Sequence, residues 1–165
     1  MTLQFITDRL RNLLLEQGWR YDVVDAVLAA QGENPAHAAV AVKDLAKAEE
    51  DFRQAFGWEV DGRYSDYDEK IRVSYYMVGP TAFEIMEDMD GTGEVAKFIE
   101  KHGEGIMVLS INVNNTAESL ELLKRNGAAL IDQKPRFAKE LSRYFAFLHP
   151  KQCHGVLAEV IDGKY

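Results

Sequence analysis

The sequence predicts an α+β protein in which a unit of one strand, one helix and three further strands occurs twice. Two observations predict it. Residues 37–45 (HAAVAVKDL) are echoed by residues 108–116 (VLSINVNNT), each a two-faced strand followed by an Asp or Asn suited to cap a helix. Residues 83–88 and 158–162 form a second matching pair of strands, each with a glutamate at the same place. We therefore expect the two units to build one curved, cup-shaped sheet.

A helical hairpin is predicted ahead of the repeat. Apolar residues recur at helical spacing over residues 5–17 and 21–31, and a glycine follows each run. Two short helices bury too little surface to be stable alone, so we expect them to pack on the following domain or on another chain. The predicted domains are residues 1–34 and residues 35–165.

The two copies of the unit occupy about residues 37–90 and 105–165. Apolar spacing, capping residues and closing glycines predict one helix in each copy and a connecting helix between them. Short alternating runs predict the strands. The predicted helices cover residues 44–56, 94–101 and 115–126. In the first copy the strands after the helix cover residues 58–60, 71–78 and 83–88. In the second copy they cover residues 129–131, 142–148 and 158–162.

Composition narrows the class of partner. The 165 residues are 47% hydrophobic and 28% charged, which is typical of a globular protein. A formal charge of −8 argues against nucleic acid or an anionic membrane surface as the partner. The single cysteine, Cys153, favours a reducing, cytoplasmic location, and no apolar run approaches the roughly 18 residues that a membrane span needs.

Four inward-facing positions carry the predicted chemistry. If the matching strands share one concave face, His37 and Glu84 of the first copy converge with Val108 and Glu159 of the second. One imidazole and two carboxylates suit a divalent metal that acts as a Lewis acid, and a carboxylate can also move a proton. A buried carboxylate without a partner is costly, so a metal, an arginine or solvent must meet each glutamate.

Two arginines offer the alternative to a metal. Arg72 and Arg143 occupy equivalent places in the two copies. If they pair with the glutamates, the cup holds a structural network of ion pairs without metal. Both readings stay open at this point.

The repeat resembles the vicinal oxygen chelate superfamily (glyoxalase, bleomycin resistance protein and dioxygenase), and within it most closely the methylmalonyl-CoA epimerases. The matching runs are residues 37–45, 96–106 (AKFIEKHGEGI), 147–151 (FLHPK) and 155–159 (GVLAE). The resemblance implies paired βαβββ modules that enclose a cup, a divalent metal, and proton transfer at the α-carbon of an acyl-CoA.

The family's metal positions fall on His37, Glu84, Val108 and Glu159. The third departs from the pattern, because the family has two histidines where this chain has Met107 and Val108. The resemblance therefore implies that His37, Glu84 and Glu159 are the metal ligands, with Co, Zn, Ni, Mn or Mg as the ion. The alternative is that the site binds no metal. Glu159 and Glu84 are the candidate catalytic residues.

Five residues are candidates for ligand binding: Arg72, Ser110, Arg143, His149 and Lys151. The resemblance places His149 and Lys151 at the mouth of the ligand site, where Lys151 would meet a CoA phosphate. The family has a further acid/base carboxylate ahead of the strand that starts near residue 71.

For that further carboxylate the chain offers Ser65, Asp66, Asp68 and Glu69, none of which is a clear match.

Three functions follow as hypotheses. The first is a divergent epimerase-like isomerase or lyase that transfers a proton next to a thioester or other carbonyl group. The second is a metal-free module that binds a small molecule, such as an acyl-CoA, after loss of the third ligand. The third is an interaction role with the N-terminal hairpin as docking element, in which a homodimer is one outcome.

Residues 8–29 resemble a C-terminal piece of the bacterial glycyl-tRNA synthetase β subunit. The run carries no catalytic motif, and the resemblance implies no synthetase activity. Because of the net negative charge, we expect a packing or dimerisation hairpin in preference to a role with tRNA.

Overall fold

The computed structural model describes residues 37–78 and 81–163. The predicted N-terminal hairpin and its resemblance to the synthetase lie outside these residues, so the hairpin and the domain boundary after residue 34 stay predictions. The elements are β1 (His37–Val42), α1 (Leu45–Phe56), β2 (Gly62–Asp66), β3 (Ile71–Val78), β4 (Thr81–Asp88), α2 (Glu94–His102), β5 (Gly105–Val113), α3 (Thr116–Arg125), β6 (Arg136–Ala138), β7 (Arg143–Leu148), a 3₁₀ turn (Pro150–Cys153) and β8 (Leu157–Asp162).

All eight strands form one sheet in the order β2-β3-β4-β1-β5-β8-β7-β6. The corresponding strands of the two copies therefore follow in the same order outward from the central pair, in which β1 runs antiparallel to β5. Each central strand also pairs in parallel with the last strand of its own copy, β1 with β4 and β5 with β8. The predicted α+β class with two βαβββ modules in one curved sheet is confirmed.

The turn after each central strand is stabilised in the same way in both modules. The Asp44 side chain caps α1 by accepting a hydrogen bond from the Lys47 amide at 2.9 Å. The Asn115 side chain caps α3 by accepting one from the Glu118 amide at 3.1 Å. A short polar side chain at this position satisfies an amide that the first helical turn leaves without a partner. The shared cap explains why the two stretches read alike in sequence.

The helices of the two modules cover the outer face of the sheet, and the connecting helix packs at its inner face. Ala48 of α1 packs over Ile85, and Leu120 of α3 packs over Val160. Val95 of α2 belongs instead to the cluster that lines the cup. None of the helices in residues 37–78 and 81–163 is long and apolar enough to cross a membrane.

Two predicted strands are wrong. Residues 58–60 form no strand, because Trp58 stacks on Phe52 and packs on Phe56 of α1, so its apolar character serves helix packing. The strand of this part of the chain is β2, four residues further on. Residues 129–131 contain only an isolated bridge between Leu130 and Leu148, and the edge strand of the second module is β6.

Candidate active site

Three buried side chains from three strands meet inside the cup. His37 Nε2 of β1 lies 3.8 Å from Glu84 Oε2 of β4 and 3.4 Å from Glu159 Oε2 of β8. The three residues are between 3% and 7% exposed. The convergence that the sequence predicts for His37, Glu84 and Glu159 is thus present in the structure, while their chemical roles stay predictions.

The register of the sheet explains why these side chains share a face. Ser110 of β5 lies directly between His37 on one side and Glu159 on the other. Ala39 lies two residues along β1, between Glu84 and Val108. Side chains two residues apart point to the same side of a strand, so both rows face the inside of the cup. The small side chain of Ala39 leaves room beside the two longer ones.

A hydroxyl group contacts each carboxylate. The Tyr64 hydroxyl of β2 donates to Glu84 Oε1 at 3.2 Å, and the Ser110 hydroxyl donates to Glu159 Oε2. Burial, together with the charges of Glu84 and Glu159, raises the pKa of Tyr64 well above 10, so the phenol keeps its proton. Each of the two carboxylates therefore accepts a hydrogen bond from a hydroxyl group of another strand.

The charge state of His37 depends on the same carboxylates. Burial alone lowers the pKa of this imidazole, and the charge of Arg143 acts in the same direction. The hydrogen bond with Glu159 and the charges of Glu84 and Glu159 outweigh both, so the pKa of His37 is raised above 6.5. The raised pKa favours the protonated imidazole, which in that form offsets part of the cost of burying the neighbouring carboxyl groups.

The cluster lies at the wall of a small cavity of about 70 Å³. Charged and hydroxyl groups lie on one part of the wall and aliphatic and aromatic side chains on the rest. The lining residues are His37, Ala39, Tyr64, Asp66, Glu69, Ile71, Glu84, Met86, Val108, Ala138, Leu141, Phe145, Phe147, Glu159 and Ile161. A few polar groups in a mostly apolar wall are typical of a small-molecule site.

Val108 brings no donor atom to this wall. It is 7% exposed and lies beside Ala39, in the same concave surface as the three polar side chains. Imidazole and carboxylate are suitable ligands for a divalent ion. Within residues 37–78 and 81–163, however, no three His, Cys, Asp or Glu side chains are arranged to hold one. The side chains as placed do not fit a metal, and the divalent ion stays a prediction.

The candidate ligand-binding residues are spread over several places. Ser110 lies within the cluster. Arg143 is 4% exposed, and its charge is close enough to lower the pKa of His37. Arg72 is directed elsewhere, because its guanidinium contacts Glu87 Oε2 at 2.9 Å, whereas Glu84 contacts Tyr64.

His149 caps the 3₁₀ turn that contains Lys151, and its Nδ1 atom accepts a hydrogen bond from the Lys151 amide at 3.2 Å. Neither residue lines the cavity. Of the four residues offered for the further carboxylate, Asp66 and Glu69 do line it. Asp66 Oδ1 accepts from the amides of Asp68 and Glu69, both at 2.9 Å, so this carboxylate shapes the turn after β2.

Sequence reasoning missed Tyr64 and Arg136. Tyr64 reads as one aromatic residue among several in alternating strands, and only the sheet register shows that it reaches Glu84. Arg136 lies in the edge strand β6, which the sequence does not predict, and it contacts Glu69 in the other module at 2.8 Å. No local pattern signals a contact between residues so far apart in the chain.

Known proteins share both the sequence pattern and the fold. The profile of the Glyoxalase/Bleomycin resistance protein/Dioxygenase superfamily matches residues 36–147. The ethylmalonyl-CoA/methylmalonyl-CoA epimerase of Cereibacter sphaeroides is 28% identical over 126 residues, which cover 75% of this chain and 93% of the relative.

Solved structures of methylmalonyl-CoA epimerases have the same fold as this chain. The methylmalonyl-CoA epimerase of Mycobacterium tuberculosis superposes with a TM-score of 0.75 at 25% identity, covering 82% of this chain and 91% of its own. A Streptomyces coelicolor methylmalonyl-CoA epimerase variant in complex with 2-nitronate-propionyl-CoA has a TM-score of 0.73 at 24% identity, with coverages of 79% and 94%, and this likeness shows the fold alone.

Proposed function

The chain belongs to the Glyoxalase/Bleomycin resistance protein/Dioxygenase superfamily, and on that premise we propose that it is an epimerase-like isomerase or lyase. Its reaction is the transfer of a proton at a carbon next to a thioester or other carbonyl group. One observation carries the proposal: Glu84 and Glu159, from equivalent strands of the two modules, lie on either side of one imidazole at the wall of the cavity.

The arrangement supplies what this reaction requires. A carboxylate removes the proton, the electron pair of the broken C–H bond moves onto the carbonyl oxygen, and a proton returned to the same carbon restores the carbonyl. Glu84 Oε2 and Glu159 Oε2 lie 3.8 and 3.4 Å from the same His37 nitrogen, so a carbon bound beside that nitrogen would be within reach of both carboxylates, one for each of its faces. The raised pKa of His37 favours the protonated imidazole, and in that form it would stabilise the negative charge that develops on oxygen.

An acyl-CoA is the ligand class that we favour. The cavity has room for a short acyl group, and the much larger CoA part would extend outside it. The Streptomyces relative with 2-nitronate-propionyl-CoA bound supports this class, as does the relatedness to epimerases of methylmalonyl-CoA and ethylmalonyl-CoA. A divalent ion held by His37, Glu84 and Glu159 would be an alternative arrangement, because it needs a neutral imidazole whereas the steps above use the protonated one.

Deuterium exchange tests the proposal. Methylmalonyl-CoA incubated with the protein in D₂O should gain one deuterium at the α-carbon, as read by mass spectrometry, and replacing both glutamates, Glu84→Gln together with Glu159→Gln, should abolish this gain. Glu87→Gln is the matched control, since Glu87 lies on the same strand as Glu84 but bonds the Leu45 amide and Arg72. The assay is repeated after chelation and with each of Co, Zn, Ni, Mn and Mg. Absence of exchange under all conditions would contradict the proposal.

A second function is favoured by a specific observation. Val108 replaces a ligand, while Tyr64 and Ser110 already satisfy the two carboxylates, which suits a metal-free module that binds a small molecule without reaction. In that case calorimetry would detect binding of methylmalonyl-CoA to the chelated protein, and no deuterium would enter the bound compound.

A further inference from the structure

The two edges of the sheet are joined by ion pairs. Arg136 Nη1 of β6 lies 2.8 Å from Glu69 Oε1, and Lys139 Nζ lies 2.7 Å from Asp68 Oδ2. Glu69 and Asp68 belong to the turn that follows β2, and β2 and β6 are the first and last strands of the sheet order, with no backbone pairing between them. We refer to these four residues as the seam.

The seam closes the side of the cavity. Asp66 and Glu69 line the cavity on the side of the first module, and Ala138 and Leu141 line it on the side of the second. The cavity measures about 70 Å³, whereas sites for drug-sized ligands measure roughly 300 to 1,000 Å³. A ligand larger than a short acyl group needs more room, and separation of the two edges would widen the cavity on this side.

The contacts across the seam are of a kind that separates readily. The side chains of Lys139 and Asp68 are 68% and 67% exposed, and those of Arg136 and Glu69 are 39% and 30% exposed. Exposed ion pairs contribute little to stability because water competes for both partners. The edges lack the ladder of backbone hydrogen bonds that holds the other strands together.

Arg136 stays anchored to the second module when the two edges separate. Arg136 also contacts Asp132 Oδ1 at 2.8 Å, and its guanidinium lies over the ring of Phe147 at 5.5 Å, both within the same module. Loss of Glu69 therefore leaves Arg136 positioned at the rim of the cavity, beside an aromatic residue that lines it. A guanidinium with free donors is well suited to a carboxylate or a phosphate.

We propose that the seam is the gate through which ligand reaches the cavity, and that Arg136 and Lys139 exchange Glu69 and Asp68 for anionic groups of the ligand. This rests on the proposed function only for the nature of the ligand. The shared chemistry is that of an oxyanion, which is either a carboxylate on the acyl group or a phosphate of the carrier.

Labelling of a thiol inside the cavity tests the gate without a substrate. In a Cys153→Ala background, Val108→Cys places one thiol in the cavity wall, and the uncharged reagent 4,4′-dithiodipyridine reports its reaction by absorbance. Glu69→Gln with Asp68→Asn removes the two ion pairs that cross the seam and leaves Arg136 paired with Asp132, and it should raise the labelling rate about three- to tenfold, the range that loss of two weak ion pairs allows. Lys47→Ala, which removes an exposed pair with Asp51 on α1 at the outer face of the sheet, should leave it unchanged.

Equal labelling rates in the seam variant and its parent would overturn the gate. Ala39→Cys is the second reporter if Val108→Cys fails to fold, because it also lines the cavity. For the anion exchange, malonate and inorganic pyrophosphate are compared with sodium chloride at matched ionic strength. Acceleration by malonate alone assigns the acyl carboxylate, acceleration by pyrophosphate alone assigns the carrier phosphates, and no acceleration by either overturns the exchange.

The two proposals fail separately. A protein that shows no deuterium exchange can still label faster when the seam is removed, which would retain the gate and reject the isomerase. If deuterium exchange is observed but the seam variant labels at the same rate as its parent, the isomerase is retained and the gate is rejected.

Discussion

The imidazole of His37 in the first module lies 3.4 Å from the carboxylate of Glu159 in the second. Neither module forms the candidate site by itself, because the site needs residues of both modules and the pairing of β1 with β5 at the centre of the sheet. Glu84, from the first module, completes the cluster on the other side of the same nitrogen atom.

The charge of His37 gives the first prediction. Because the pKa is raised above 6.5 in the folded state, this contact stabilises the fold fully below about pH 6.5 and the contribution is lost as pH rises through the folded pKa. An NMR titration of the His37 imidazole should show the raised pKa, and Glu159→Gln should lower it. A pKa at or below 6.5 in the unmodified protein would contradict the cluster's electrostatics.

A second prediction concerns the position without a donor. Val108→His should raise the affinity for Zn²⁺ or Co²⁺ by at least about tenfold, because it adds an imidazole to a surface that already presents His37 and two carboxylates. Isothermal calorimetry provides the measurement. Leu109→His is the matched control, since Leu109 is next in the same strand and 43% exposed on the outer face. An equal effect of both variants would show that the cluster plays no part.

Tyr64 provides the third prediction. Tyr64→Phe removes the hydrogen bond to Glu84 Oε1 and should lower the free energy of unfolding by about 1 to 2 kcal/mol, because a buried carboxylate loses a donor. Urea denaturation at neutral pH gives the value. Tyr67→Phe should have almost no effect, since Tyr67 is 74% exposed. Equal stability of both variants would mean that the Tyr64 contact is replaced by water.

A fourth prediction lies outside the site. The Arg63 guanidinium lowers the pKa of Glu49, despite partial burial, with help from the Ser74 hydroxyl. This contact therefore stabilises the fold above about pH 4.5, and the contribution is lost as pH falls through the folded pKa. Glu49→Gln should cost no more than about 1 kcal/mol at pH 7 and nothing at pH 2. A cost that is independent of pH would indicate lost packing instead.

Much of the fold could be predicted because it rests on local patterns. The caps at Asp44 and Asn115 and the alternation in β1 and β5 are set by neighbouring residues, and the glutamates of β4 and β8 recur at matching places. The edge strands β2 and β6 were misplaced because a short, half-exposed strand has no apolar pattern of its own.

The seam could not be predicted for a different reason. Its contact between Arg136 and Glu69 joins residues from opposite ends of the sheet, and only the curvature of all eight strands brings them together. The partner of Glu84 was missed for the same reason, because Tyr64 reaches it across an intervening strand. Alternation in a strand gives the face of a side chain but not the contacts made across a curved sheet.

The central claim is that Glu84 and Glu159 serve opposite faces of one carbon atom. Its most direct test is to follow single enantiomers of methylmalonyl-CoA in D₂O with the Glu84→Gln variant. We expect this variant still to exchange the α-hydrogen of one enantiomer through Glu159 but no longer to convert it into the other. Full racemisation at the rate of the unmodified protein would show that Glu84 is not the second base.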